Sequence, residues 1–186
     1  MHSTAPTKDR IIAAAMSITS CKGARHLTID AVTSETGLSK GGVLYHFPSK
    51  TALLEGLVSH TIRQVRLRLD HHLATLANTS NPTLRATVML LTDVLEGTLS
   101  LPVALLAASA ENPDLLLPVR EEFRLIWARI QSETGDVASA FVIWSALEGL
   151  HYMNMFDLAP EGKTQLQQCL TQLTAMITKL STNEGA

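Results

Sequence analysis

Apolar residues recur three and four positions apart along most of the chain, the spacing that places side chains on one face of an α-helix. Leu166, Leu170, Leu173 and Ile177 show this pattern near the C-terminus. No segment has the two-residue alternation of a half-buried strand, and glycine or proline falls between the helical stretches. The sequence therefore predicts an all-α fold of about nine helices.

Size and composition limit the class of protein further. The 186 residues are 46% hydrophobic and 4% aromatic, enough for one compact unit or for a small domain joined to a larger one. No apolar run approaches the roughly 20 residues that span a bilayer, and the N-terminus lacks the order of a signal peptide. We therefore expect a cytoplasmic protein without a membrane partner. Cys21 and Cys169 are far apart and predict neither a disulfide framework nor a zinc module.

The charged residues are divided unevenly between the two parts of the chain. Residues 1–70 carry nine Lys/Arg and five Asp/Glu, a net charge of +4, whereas residues 71–186 carry six and twelve, a net charge of −6. The total of −2 therefore conceals a basic N-terminal part. Such a distribution is typical of a protein that contacts phosphate groups at one end only.

Two short helices near the N-terminus are separated by a turn that contains glycine. Thr28 is a suitable N-cap for the first of them, and Gly37 is a suitable residue to end it. Ser39 is a suitable N-cap for the second, which Pro48 ends. Two short helices in this arrangement predict a helix-turn-helix motif.

Residues 39–50 read Ser-Lys-Gly-Gly-Val-Leu-Tyr-His-Phe-Pro-Ser-Lys. A serine-capped helix that ends in Tyr-His-Phe, followed by a short break and Ser-Lys, resembles the recognition helix of TetR-family regulators, and the likeness extends over residues 8–60. The resemblance implies a helix-turn-helix DNA-binding domain over residues 1–50 and a helical ligand-binding and dimerisation domain over residues 51–186. It also implies a ligand-responsive transcriptional regulator, a repressor that binds a DNA operator as a homodimer and is released by a small-molecule inducer.

The candidate DNA contacts lie on and beside this helix. Lys40 can reach a guanine or a phosphate, Leu44 can rest on a thymine methyl group, and glycine lets the backbone approach a groove. The resemblance adds the Tyr-His pair and the lysine after the break as phosphate contacts. The full set is Thr28, Ser39, Lys40, Gly41, Gly42, Leu44, Tyr45, His46 and Lys50. Alternatives remain for three of them: Thr28 as a plain N-cap, Leu44 as a core residue and His46 as a solvated side chain.

Three other features of this helix concern its contacts with the core and with DNA bases. Val43 and Phe47 are four residues apart and are expected to face the core of the small domain. Leu44 takes a place that the family often fills with an aromatic residue, and Gly42 replaces a side chain that could read a base. The resemblance therefore implies DNA binding without implying an operator sequence.

The last two helices are the candidate dimer interface. A two-fold symmetric dimer predicts a pseudo-palindromic operator, and both helices carry apolar or small residues at helical spacing. The expected interface residues are Phe141, Ser145, Glu148, Tyr152, Leu166, Leu170, Leu173 and Ile177. The alternative is that these stripes form the core within one chain.

The middle helices of this family enclose an inducer pocket, and the two tryptophans are prominent in a chain with few aromatic residues. The candidate lining residues are His60, Met89, Phe123, Trp127, Trp144 and His151. The alternative is that these side chains belong to the core. This part of the chain has no basic cluster, which favours a neutral or cationic apolar inducer over a large anionic one.

Glu148 and His151 form a Glu-x-x-His pair, half of the ligand set of a di-iron helical bundle. The chain has no second copy, and His71 and His72 are adjacent, so we expect no metal site. The motifs of nucleophilic serines, phosphate-binding loops and dinucleotide folds are absent, and we expect neither enzyme activity nor a cofactor. The remaining alternatives are a nonspecific architectural DNA binder and a helical protein-interaction module without a DNA function.

Overall fold

The computed structural model describes residues 6–99 and 104–181, and these residues form nine α-helices without a β-strand. The prediction of an all-α fold is confirmed. The helices are α1 (Thr7–Lys22), α2 (Ile29–Thr36), α3 (Lys40–His46), α4 (Lys50–Thr75), α5 (Pro82–Leu95), α6 (Ala104–Glu111), α7 (Leu117–Glu133), α8 (Val137–Met155) and α9 (Gly162–Lys179). The sequence also predicts a break in the helical pattern at Ser100 and Pro102, which lie outside the described ranges. None of the helices in these ranges is both long and apolar enough to cross a membrane.

Two helix boundaries differ from those that the apolar pattern predicts. The pattern extends α5 to about Leu99, but the helix ends at Leu95 because Gly97 has a positive φ of 76°, which ends the helical conformation. The pattern also predicts a helical segment from Pro113 to about Ser132, kinked or restarted at Pro118, whereas residues 113–116 form a separate 3₁₀ turn and α7 starts at Leu117. Both differences arise from local backbone conformation that apolar periodicity does not encode.

The chain divides into two compact units. Unit 1 comprises the described residues of 1–64 and 101–121, and unit 2 comprises those of 65–100 and 122–186. The two units are therefore not separated at residue 50. The functional division into residues 1–50 and 51–186 stays a prediction.

The core of unit 1 is built mainly from α1, α2, α3 and the first part of α4. Its fully buried side chains include Ile11, Ile18, Leu27, Val32, Val43, Leu53, Leu54 and Leu57. Gly56 allows α4 to approach closely, since an added Cβ would lie 2.5 Å from Cε1 of Phe47 and 3.1 Å from Cδ1 of Ile12. This contact fixes α4 against α1 and the C-cap of α3.

The core of unit 2 combines residues of α5, α7, α8 and α9. The apolar stripe of α9, which consists of Leu166, Leu170, Leu173 and Ile177, is 0–8% exposed within the single chain. Side chains that fill the core of one chain leave little surface for a second, so this burial favours the alternative of an intrachain core for α9. The role of these four residues at a dimer interface stays a prediction.

Candidate functional site

The two short helices near the N-terminus begin and end at their capping residues. Thr28 Oγ1 accepts a hydrogen bond of 3.0 Å from the Ala31 N–H and begins α2. Gly37, with a φ of 69°, ends α2 in the left-handed conformation that glycine favours. Ser39 Oγ accepts a hydrogen bond of 3.1 Å from the Gly42 N–H and begins α3. Together α2, the turn and α3 form the helix-turn-helix that the sequence predicts.

Buried residues determine which face of α3 is exposed. Val43 is fully buried and Phe47 is 3% exposed, which confirms the prediction that both face the core. Helix geometry then places Gly41 and Tyr45, four residues apart, on the side opposite Val43. This opposite side is the surface that α3 offers to a partner.

The exposed face of α3 carries a tyrosine and a glycine. Tyr45 is 85% exposed, no described residue bonds its hydroxyl, and its ring meets the His46 ring edge-on with centroids 5.1 Å apart. At Gly41 an added Cβ would meet no atom within 4 Å, so packing within the chain does not require glycine there. Leu44 is partly buried but is not a member of the core cluster.

The two capping hydroxyl groups each retain a proton for an outside partner. The oxygens of Thr28 and Ser39 accept backbone N–H groups, which leaves their O–H hydrogens unused. Both residues are exposed. Thr28 is therefore an N-cap, and this role is compatible with a phosphate contact.

Two lysines of the predicted DNA-binding set are paired with carboxylates of the chain itself. Lys40 Nζ lies 2.8 Å from Asp30 Oδ1, and Lys50 Nζ lies 2.6 Å from Oε2 of Glu111 in α6. Neither partner is predictable from the sequence, because no local spacing indicates a contact between residues on different helices. Exposed ion pairs contribute at most about 1 kcal/mol, so a phosphate group can replace either carboxylate.

Unit 2 brings together three of the six residues predicted to line a ligand pocket. The rings of Trp127 and Trp144 are stacked, with centroids 5.4 Å apart and planes 8° apart. The ring of Phe123 lies 5.6 Å from that of Trp144. Phe141, predicted for the dimer interface, lies with its ring 5.1 Å from that of Trp127. We call Phe123, Trp127, Phe141 and Trp144 the aromatic cluster.

The other three predicted lining residues lie outside the aromatic cluster. Met89 is partly buried on α5, and His151 lies on α8, where burial lowers the pKa of its imidazole. His60 belongs to unit 1, and burial, with a smaller effect of Arg63, lowers its pKa. Its Nδ1 atom is buried without a hydrogen-bond partner among the described residues.

Glu148 lies on α8 one helical turn after Trp144. Burial raises the pKa of its carboxyl group to about 7. Within the described ranges, no residue donates a hydrogen bond to this carboxyl group or forms an ion pair with it. A partly buried carboxyl group without a partner reduces stability, so its presence needs another explanation.

α8 is apolar on both its inner and its outer face. The inner face fills the core of unit 2, while the outer face carries large apolar side chains that are 44–61% exposed. We call this outer surface the exposed α8 face, and its members are Phe141, Val142, Ser145, Tyr152 and Met153. Val142 and Met153 are not among the interface residues predicted from the sequence, although a helix without a polar side is expected to be buried on all sides.

A groove of about 280 Å³ lies between α5 and α9 in unit 2. Its lining residues are Val88, Thr92, Leu95, Glu96, Gln167, Leu170, Thr171 and Thr174. None of the residues predicted for the ligand pocket lines this groove. Apolar periodicity gives no signal for it, because threonine and glutamine form half of its lining.

Two family models match the sequence. The model described as the tetR family of bacterial regulatory proteins matches residues 11–57, and the model described as a tetracyclin repressor-like C-terminal domain matches residues 81–178. No curated protein matches the chain.

Several solved structures share the fold. A transcriptional regulator from Rhodococcus sp. Rha1 has a TM-score of 0.71 at 17% identity, over 94% of this chain and 98% of its own. The multidrug binding protein EbrR complexed with malachite green has a TM-score of 0.70 at 21% identity, over 91% and 98%. A putative transcriptional regulator from Saccharomonospora viridis in complex with choline has a TM-score of 0.65 at 18% identity, over 95% and 98%. At these identities the likeness shows the fold alone.

A capped helix-turn-helix followed by a larger helical unit defines a class of DNA-binding proteins. The C-terminal family model alone matches more than half of the chain, and the chain belongs to the TetR family of bacterial transcriptional regulators. Because members of this family are regulators, the expectation that the chain is not an enzyme is confirmed.

Proposed function

We propose that the chain is a repressor that binds a pseudo-palindromic operator as a homodimer and is released by a small-molecule inducer. In this proposal α3 enters the major groove, the exposed α8 face pairs two subunits, and unit 2 binds the inducer. Each part has a separate structural basis.

The exposed face of α3 is the observation that carries the DNA-binding role. Val43 holds one side of the helix in the core, and the other side presents Tyr45 at 85% exposure beside a glycine with open space. Lys40 and Leu44 are the proposed base contacts, and hydroxyl, imidazole and ammonium groups around them supply phosphate contacts. The proposed DNA-binding residues are Thr28, Ser39, Lys40, Gly41, Gly42, Leu44, Tyr45, His46 and Lys50.

The exposed α8 face supports dimer formation. A recognition helix of seven residues reaches only a few base pairs, so selection of one operator needs two copies. A two-fold interface uses the same patch on both subunits, and a continuous apolar face fits that requirement. We retain Phe141, Ser145 and Tyr152 as proposed interface residues and add Val142 and Met153. We leave out Glu148, which is only partly exposed, and the buried stripe of α9.

The aromatic cluster supports inducer binding in unit 2. The structural neighbours solved with malachite green and with choline add support for a small-molecule ligand. A ligand lowers DNA affinity only if it binds the DNA-free state more tightly, and DNA must then weaken the ligand by the same factor. We propose that inducer binding moves α4 and so changes the distance between the two recognition helices of the dimer.

Selection of genomic DNA fragments by the purified full-length protein tests the proposal. We expect one pseudo-palindromic site to be bound roughly 1,000-fold or more tightly than unrelated DNA at about 150 mM salt. Tyr45→Ala and Lys50→Ala are expected to weaken binding to that site. Leu67→Ala is the control, because Leu67 is 60% exposed on α4 and is not among the proposed DNA contacts.

The other outcomes identify the other classes of protein. Tight binding without sequence preference, with the same salt dependence on every DNA, would indicate a nonspecific architectural binder. The absence of DNA binding would overturn the proposal and favour a helical protein-interaction module.

A further inference from the structure

The aromatic cluster and Glu148 are neighbours in unit 2. Trp144 and Glu148 are four residues apart on α8, so their side chains lie on one face of the helix. The Trp144 ring is stacked on Trp127 and also contacts Phe123, and both of these residues belong to α7. Stacked aromatic rings and a carboxylate are therefore within reach of one bound molecule.

The Glu148 carboxylate lacks a positive partner within the described chain. Burial is the cause that raises its pKa, and no charged side chain of α5, α7 or α9 offsets it. Two basic residues of unit 2 have other partners: Arg66 pairs with Glu122, and Lys163 donates to the Leu95 carbonyl. A carboxylate that has lost water without gaining a cation is unfavourable until a ligand supplies one.

The chemistry of the surrounding residues distinguishes between a metal ion and an organic cation. No group of three or more His, Cys, Asp or Glu side chains within the described ranges is placed to hold a metal ion. Aromatic faces attract quaternary and delocalised organic cations, and a neighbouring carboxylate neutralises their charge. The cluster is open to such a molecule at Phe123, which is 37% exposed and is not among the proposed interface residues.

We propose that the aromatic cluster and Glu148 form a binding site for a lipophilic organic cation, with Glu148 as the counter-ion. The inference rests on the proposed function, since it names the chemical class of the inducer. The site and the proposed dimer interface share Phe141, whereas Val142 of the exposed α8 face lies roughly 160° around the helix from Trp144, at about 100° per residue.

Tryptophan fluorescence reports on this site directly, because Trp127 and Trp144 are the two tryptophans of the chain. The full-length protein without DNA is titrated with benzyltrimethylammonium and with its uncharged isostere neopentylbenzene, at about pH 8, where Glu148 is largely ionised. We expect saturable quenching by the cation, with an affinity roughly tenfold or more above that for the neutral compound.

Substitution of Glu148 tests the role of its charge. Glu148→Gln is expected to remove the preference for the cation and to leave binding of neopentylbenzene unchanged. Glu161→Gln removes the same charge from an exposed position before α9 and is expected to keep the preference. Phe123→Leu removes one aromatic face and is expected to weaken the cation selectively. Circular dichroism confirms that each variant is folded.

Each other outcome overturns the inference. Equal affinity for the two compounds, or an unchanged preference in Glu148→Gln, would show that Glu148 is not a counter-ion. Loss of cation binding as the protein concentration rises would assign the aromatic cluster to the dimer interface. Operator binding is measured separately: a chain that binds its operator but not the cation overturns this inference alone, and a chain that binds the cation but no DNA overturns the proposed function alone.

Discussion

Substitution of Gly41 is expected to change folding stability and operator affinity in opposite directions. An added Cβ at this position meets no atom within 4 Å, so Gly41→Ala is expected to raise the free energy of unfolding. The expected gain is about 0.5 to 1 kcal/mol, since alanine loses less backbone entropy in a helix. The same methyl group lies on the face proposed to meet DNA, where it is expected to weaken operator binding about tenfold. Urea unfolding and an operator titration measure the two effects.

Gly56→Ala provides the opposite control. Its Cβ would lie 2.5 Å from a Phe47 ring carbon, so the same substitution is expected to lower the free energy of unfolding. A loss of about 1 to 3 kcal/mol is typical of overpacking. Unchanged operator affinity in Gly41→Ala would remove Gly41 from the DNA-binding set.

Glu148 is expected to make stability depend on pH. Its ordinary pKa is 4.5, and burial raises it to about 7 in the folded chain. The folded state therefore holds more protons than the unfolded state between these values, and the free energy of unfolding falls as the pH rises through this window. The full stability is present below the unfolded pKa, and the loss above the folded pKa is at most about 3 kcal/mol.

Glu148→Gln removes this titration. We expect the variant to match the wild type at about pH 4.5 and to be more stable at about pH 8 by about 1 to 3 kcal/mol. Urea unfolding at a fixed protein concentration measures the difference at each pH, with Glu161→Gln as the control. If the wild type and Glu148→Gln show parallel pH profiles, Glu148 does not titrate in this window.

At the level of helices, Glu111 of α6 forms an ion pair with Lys50 of α4, a residue that is proposed to contact DNA. The Glu111 carboxylate lies 2.6 Å from the Lys50 ammonium group, so a phosphate must displace it. Glu111→Gln keeps the shape of the side chain and removes this competition. We expect operator binding to tighten about two- to fivefold, the effect of losing an exposed ion pair of up to about 1 kcal/mol. Fluorescence anisotropy at constant salt measures it.

Glu55→Gln is the matched variant for this prediction. Glu55 is exposed on the same helix as Lys50, and its substitution removes the same charge from unit 1. An equal gain in both variants would attribute the effect to overall charge rather than to release of Lys50.

Helix caps explain why the helix-turn-helix could be predicted from sequence. Thr28, Gly37 and Ser39 act within three or four residues of their own positions, so α2 and α3 begin and end where local chemistry places them. The stripe of α9 could not be assigned in the same way. Periodicity shows that one face of a helix is buried, but the same pattern suits a core within one chain and an interface between two.

Long-range contacts limited the prediction of the candidate site. Glu111 is 61 positions from Lys50, and the aromatic cluster joins residues of two helices that pack only in the folded chain. The residue types of the cluster were predictable, because aromatic side chains are scarce in this sequence. The grouping of Trp127 with Phe141, and the absence of a partner for Glu148, depend on how α7 and α8 pack.

For the whole molecule, the unequal distribution of charge has a consequence for assembly. Residues 1–70 carry a net +4 and the remaining residues a net −6. A dimer formed through α8 places two basic N-terminal parts on one DNA molecule. The number of phosphate contacts therefore doubles, while the net charge of each subunit stays the same. Such a dimer combines operator affinity with a low net charge, which suppresses nonspecific binding.

Val142→Lys tests whether the exposed α8 face forms this dimer. Val142 is 61% exposed, so the lysine is tolerated in the monomer, but a two-fold interface would bury two unpaired charges. We expect dimerisation to weaken roughly 100-fold, or about 3 kcal/mol, and operator binding to fall with it although α3 is unchanged. Analytical ultracentrifugation and an operator titration measure the two losses.

Leu67→Lys, at a position 60% exposed on α4, is expected to leave the dimer intact. If Val142→Lys is still a dimer, the interface lies elsewhere on the chain. If Val142→Lys is a monomer with full operator affinity, operator binding does not need two recognition helices.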